Sequence, residues 1–156
     1  WKRVAEQHPD WHLDIYGVGS LHDKLQEQID QLCLNDYITL CGRSNSIMDV
    51  YPEYSLHIMS SRYEGQPMTL IEAQACGLPS VVFNFKFGAA DIVQNGVNGI
   101  IVEQDDCKAF SEALCTMMSS EDMRKKYGEN ALEVGRQYFK DNVFGKWVKL
   151  INTLKQ

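Results

Sequence analysis

The chain has 156 residues, enough for one substantial hydrophobic core, so a single domain is expected. Its net charge of −6 and pI near 5.1 exclude a protein that grips nucleic acid through a dense basic face. With 44% hydrophobic and 23% charged residues it is neither disordered nor fibrous, and no apolar run reaches the ~20 residues that a membrane-spanning helix needs.

Taken in order, Trp1, Val4 and Ala5 look like the middle of an amphipathic helix, and the chain opens without Met, so an upstream segment is expected. Leu13, Ile15 and Tyr16 predict a strand that stops at Gly17-Val18-Gly19, followed by a helix through Leu21, Leu25, Ile29 and Leu32. Ser20 with Asp23 forms an S-x-x-D start signal for that helix. A second strand runs Tyr37 to Cys41 and ends at Gly42, a short helix covers Ile47 to Tyr51, and Leu56 to Met59 is a third strand.

The polar loop 60–66 leads to a helix with Pro67 at its first position and Cys76-Gly77-Leu78-Pro79 at its end. Ser80 to Phe83 reads as a buried strand, 84–90 as a loop, Asp91 to Gln94 as a helical turn and Ile100 to Val102 as a fifth strand. From Asp105 onward the pattern is helical. One stretch carries Phe110, Ala113, Leu114 and Met117, a second begins near Ser119, and a third carries Val143, Phe144, Trp147, Val148, Ile151 and Leu154. Strands alternating with helices imply a Rossmann-like, doubly wound parallel sheet covered on both faces, with additional helices at the C-terminus.

Cysteines 33, 41, 76, 107 and 115 form no C-x-x-C pair and fit reduced, cytosolic thiols. Histidines 8, 12, 22 and 57 show no H-E-x-x-H pattern and no zinc spacing, so no metal site is expected. The basic clusters at 124–126 and 146–149 read as solvated faces.

In an open α/β sheet, ligands bind beyond the carboxyl ends of the strands, which here carry Gly17-Val18-Gly19, Gly42-Arg43 and the loops 60–66 and 84–90. The helix starting at Pro67 is expected to leave the amides of Met68, Thr69 and Leu70 unpaired, with the positive end of its dipole behind them, which suits a phosphate. Neither a P-loop nor a full dinucleotide fingerprint is present. Glu64 precedes this helix and Glu72 lies within it, so two carboxylates flank the phosphate position, an arrangement that suits the hydroxyls of a sugar nucleotide.

The stretch from Ser60 to Pro79, S-S-R-Y-E-G-Q-P-M-T-L-I-E-A-Q-A-C-G-L-P, resembles the E-x7-E region of family 4 retaining glycosyltransferases with the GT-B fold. The Gly17-Val18-Gly19 loop, Cys41-Gly42-Arg43 and Asn95-Gly96-Val97-Asn98-Gly99 fall in that family's usual order, so the resemblance covers essentially the whole chain. It implies the C-terminal, donor-binding half of a GT-B enzyme that takes a nucleoside diphosphate sugar, with UDP the expected carrier.

By the same resemblance, Glu64 contacts the transferred sugar as the catalytic residue and Glu72 holds the ribose. Gly65, Gln66, Pro67, Met68, Thr69 and Leu70 receive the sugar and diphosphate, with Gly17 and Gly19 also at the donor. Arg43 fits either a place near the nucleotide or a structural ion pair, and Lys86 either a phosphate contact or a solvated loop. No metal or other cofactor is implied.

The first strand of the domain, the Arg and Lys that meet the diphosphate, and the acceptor domain are expected upstream of Trp1. The chain by itself is therefore expected to bind donor weakly and to transfer nothing. The acceptor implied is a saccharide or a lipid-linked saccharide, with the enzyme cytoplasmic and in peripheral contact with the inner face of the membrane. A non-catalytic nucleotide-sugar-binding module and a sugar-nucleotide epimerase of related fold are the competing readings.

Overall fold

Alternating strands and helices run the length of the computed structural model, which describes residues 1–86 and 88–154. The order is α1 (Lys2–Ala5), β1 (Leu13–Tyr16), α2 (His22–Gln31), β2 (Ile38–Gly42), α3 (Ile47–Val50), a 3-10 turn (Tyr51–Glu53) and β3 (His57–Met59). It continues with α4 (Met68–Ala75), β4 (Ser80–Phe83), α5 (Ala89–Ile92), β5 (Gly99–Val102), α6 (Cys107–Ser119), α7 (Glu121–Arg136) and α8 (Lys140–Thr153). Every pairing between these strands is parallel: β1 with β2, β3 with β4, and β4 with β5.

The strands fall into two sheets, β1-β2 and β3-β4-β5, where the sequence pattern suggested one. No ladder joins β1 to β3 among the described residues, and side chains bridge them instead. Tyr54, just before β3, donates its phenol proton to Asp14 Oδ2 of β1 at 2.5 Å, so Tyr16 donates in turn to Tyr54 across 3.0 Å.

The run Ser80-Val81-Val82-Phe83 is wholly buried because β4 is the middle strand of its sheet and is covered on both faces. Alternate side chains divide between two cores. Val81 and Phe83 pack with Val102, Phe110, Leu114 and Met117 under α6, while Val82 packs with Leu70, Ile71, Ala89 and Ile92 under α4 and α5. Each such aliphatic side chain stabilises the fold by roughly 1.5–3 kcal/mol when taken from water.

Helix α4 stops where the glycine was expected to stop it. Gly77 adopts φ +73, its N–H donates to Gln74 O at 2.9 Å, and the Leu78 N–H donates to Ala73 O at 2.9 Å, a Schellman closure. Leu78 and Ala73 then pack together against Tyr51. Helix α7 lies close against this end of α4. A Cβ built on Gly135 would stand 2.4 Å from Ala75 Cα, and one on Gly128 would stand 2.5 Å from Gly77 O. Two glycines seven residues apart share one helical face, so the backbones approach with nothing between them.

Two local expectations are corrected. Ser20 does not cap α2, because the helix starts one residue later, with Leu21 at the N-cap and no side-chain hydrogen bond there. Pro67 is the N-cap of α4 and not its first helical residue. The third C-terminal stretch forms the expected helix, α8, and no residue of that helix is buried. Its apolar side chains Val143, Phe144, Trp147, Val148, Ile151 and Leu154 share one face and are exposed, Leu154 to 77%, with Lys146 and Lys149 on the other side. Among the described residues no helix is long and apolar enough to cross a membrane.

Candidate functional site

Two carboxyl-end clusters of strands frame the predicted site. At the ends of β1 and β2, the Gly17 N–H donates to Gly42 O at 2.7 Å, and both glycines are left-handed, at φ +147 and +69. A Cβ on Gly17, Gly19, Gly42 or Gly65 would meet nothing within 4 Å, so backbone at these positions faces open space. Arg43 is exposed and makes no ion pair among the described residues.

On the other sheet, three connections meet. Gly88, at φ +97, lies so close to the start of α4 that a Cβ there would come within 2.7 Å of Pro67 Cδ, which brings the loop after β4 against the loop after β3. Arg62 Nε donates to Asp105 Oδ1 at 2.8 Å, tying the loop after β3 to the turn after β5. Asn84 Nδ2 donates to Glu103 Oε1 at 3.3 Å between the ends of β4 and β5. Lys86 is exposed in the loop after β4.

The first turn of α4 offers fewer free donors than expected. The Met68 N–H turns back to Gln66 O at 2.8 Å and the Leu70 N–H to Pro67 O at 3.1 Å, a tight 3-10-like start imposed by the proline cap. Thr69 is exposed and its N–H has no acceptor among the described residues, and no side chain caps the helix. Gly65, Gln66 and Met68 are exposed around it, while Pro67 and Leu70 are buried and hold the turn to the core.

Glu64 is partly buried and makes no hydrogen bond or ion pair among the described residues. Glu72, one turn into α4, is also partly buried, and its Oε2 lies 3.5 Å from the Tyr51 hydroxyl, which is 3.2 Å from Thr69 O. Burial and, secondarily, the neighbouring Glu72 push the Tyr51 phenol well above the ordinary tyrosine range, so it remains a proton donor at any physiological pH. The sequence reading missed Tyr51, which it placed only at the end of a short helix. A tyrosine before a proline carries no signal of a partner 21 residues on.

A cavity of about 390 Å³ lies elsewhere, between the open edges of β1 and β3, lined by Leu13, Asp14, Tyr16, His57 and Ile58, and none of Glu64, Glu72 or the first turn of α4 borders it. All five cysteines are free. Among the described residues no group of three or more His, Cys, Asp or Glu side chains is placed to hold a metal ion.

A family model described as Glycosyl transferases group 1 matches residues 1–134. The chain belongs to this family. The amylovoran biosynthesis glycosyltransferase AmsD of Erwinia amylovora is 32% identical over 97% of this chain and 42% of its own length. An exopolysaccharide phosphotransferase of Streptomyces coelicolor is 32% identical over 97% of this chain and 16% of its own. Among solved structures, TarM of Staphylococcus aureus, crystallised with fondaparinux, alpha-GlcNAc-glycerol and UDP, matches with a TM-score of 0.89 at 25% identity. That match covers 97% of this chain and 31% of TarM.

This group 1 glycosyltransferase chain therefore spans less than half the length of each of these relatives. Its fold is the Rossmann-like α/β architecture of the C-terminal half of a GT-B enzyme, as the sequence implied.

Proposed function

We propose that the chain is the donor-binding half of a retaining, E-x7-E glycosyltransferase that takes a UDP-sugar and elongates a polysaccharide or glycolipid. The observation that carries this reading is the start of α4. The unpaired N–H of exposed Thr69 stands at the positive end of a helix dipole, with Glu64 before it and Glu72 one turn behind it.

In this reading the Thr69 amide and the dipole balance the leaving diphosphate, while Glu72, oriented by Tyr51, accepts hydrogen bonds from the ribose hydroxyls. Glu64, with no partner of its own, faces the transferred sugar. Gly17, Gly19 and Gly65 admit the nucleotide close to the backbone, and Arg43 meets it as a free cation. No metal or other cofactor is required. The alpha-linked product and UDP named for the TarM complex support retention and a uridine carrier.

The rest of the enzyme belongs to the proposal as well. Relatives extend well beyond the matched length, β1 and β3 present open edges to one cavity, and α8 exposes an apolar face. A strand between β1 and β3 and an acceptor domain against α8 account for all three. The whole enzyme would work in the cytoplasm, at the inner face of the membrane.

The test is a titration with UDP, GDP and ADP followed by backbone amide NMR, on this chain and on one extended by its preceding segment. UDP alone should shift Thr69, Leu70 and Glu72. No shift of these amides with any nucleotide in either chain overturns the donor site.

A further inference from the structure

Helix α4 is too short to hold itself. Its eight residues make about two turns, no side chain caps its start, and isolated helices of this length are not stable in water. Its placement must come from tertiary contacts, and one of these is a buried polar network that no loop at the site touches.

Gln74 is fully buried, and each of its polar hydrogen-bonding groups is used. Nε2 donates to Ser80 Oγ at 3.0 Å and to Leu78 O at 3.3 Å, and Oε1 accepts from Asn98 Nδ2 at 2.6 Å. Asn98, also fully buried, donates its second amide proton to Ile92 O at 3.0 Å and accepts from the Gln94 N–H at 2.7 Å. Ser80 Oγ lies 3.3 Å from His57 Nδ1. His57 thereby joins the same chain of polar contacts through Ser80.

A satisfied network of this kind resists rotation, since every other setting of α4 leaves a buried amide unpaired. Residues two apart on a helix point about 200° apart, so directing Gln74 into the core directs Glu72 outward. The anchor at the other end is rigid too. The Asn98 turn closes on itself through Gly96 N–H to Gly99 O at 2.9 Å, and a Cβ on Gly99 would stand 2.4 Å from Ser80 O, so the turn is pressed against β4.

We propose that Gln74 and Asn98 are positioning residues of the donor site, locking the rotation and depth of α4 so that Glu72 and the Thr69 amide meet the nucleotide together. This rests on the donor-site reading above. Neither residue touches the ligand. Their effect is exerted through Glu72 and the first turn, and it belongs to nucleotide binding beyond any general contribution to folding.

The experiment measures UDP affinity by calorimetry, well below every melting temperature, for the parent, for Gln74→Met and for a control in α2, which packs beside the other sheet. The control is Ile29→Val or Ile29→Ala, whichever matches the melting-temperature loss of Gln74→Met. Gln74→Met keeps the volume and removes the directed bonds. It should weaken UDP binding tenfold or more, while the control stays within twofold of the parent. In turnover by the complete enzyme, the donor KM should rise through the displaced ribose contact and kcat should fall through the displaced Thr69 amide, which balances charge that develops only as the diphosphate leaves.

Equal affinities for Gln74→Met and the control would overturn the positioning role and leave the donor site standing. A parent that binds no UDP, either as this chain or extended by its preceding segment, would remove the site reading and this inference with it. Should Gln74→Met fail to fold, Asn98→Ser breaks the same link and is judged by the same comparison.

Discussion

At the scale of single residues, His57, which is partly buried, and Gly135, which is buried, make predictions independent of the ligand. The His57 ring is pushed down to about 4 by burial. Its folded value thus lies below the ordinary ~6.5, so the unfolded chain takes up the proton first as pH falls. Stability is fully present above about pH 6.5 and is lost as pH drops towards 4, by up to ~1.4 kcal/mol per pH unit and on the order of 2–3 kcal/mol in all. Urea unfolding of the parent and of His57→Gln across this range should show a steeper loss in the parent. Gly135→Ala tests the close approach of α7 to α4. Its Cβ would stand 2.4 Å from Ala75 Cα and cannot be accommodated without moving a helix, so a loss of roughly 1–3 kcal/mol is expected in the same assay.

The helical elements show which start signals the fold uses. Asp106 accepts from the Ala109 N–H at 2.9 Å at the head of α6, and Ser120 accepts from the Met123 N–H at 3.2 Å at the head of α7. Replacing either with Ala should cost about 1 kcal/mol in thermal unfolding. Ser20→Ala, within an S-x-x-D pattern but with no bond to the helix, should change stability by less than about 0.5 kcal/mol. The contrast separates a capping motif in sequence from a cap in structure. Both true caps stand where the sequence reading placed helix starts, near Asp105 and Ser119, whereas the S-x-x-D pattern at Ser20 lost its role because Leu21 takes the N-cap.

On the scale of the whole molecule, α8 and the rest of the domain are energetically separable. No α8 side chain is buried, and its apolar face touches little of the two cores. Ending the chain after Tyr138 should therefore leave its melting temperature within a few degrees of the parent, while reducing self-association measured by light scattering. In the complete enzyme, where an acceptor domain is proposed to cover α8, Trp147→Asp should instead lower activity while leaving the donor domain folded. An unchanged activity would mean that the face is not part of that interface.

The local pattern by itself determined the strand and helix order, the start of α4 near Pro67 and its stop at Gly77. These rest on periodicity and on glycine and proline geometry, which act within a few residues. Tertiary structure decided what distant segments do to one another. It split the strands into two sheets, set glycines 128 and 135 against α4, brought Tyr51 to Glu72, and joined Gln74, Asn98, Ser80 and His57 in one buried network. It also left α8 uncovered. The physical reason is that periodicity marks which face of an element is apolar, while the partner of that face, and the pairing of any polar group buried with it, depends on elements remote in sequence.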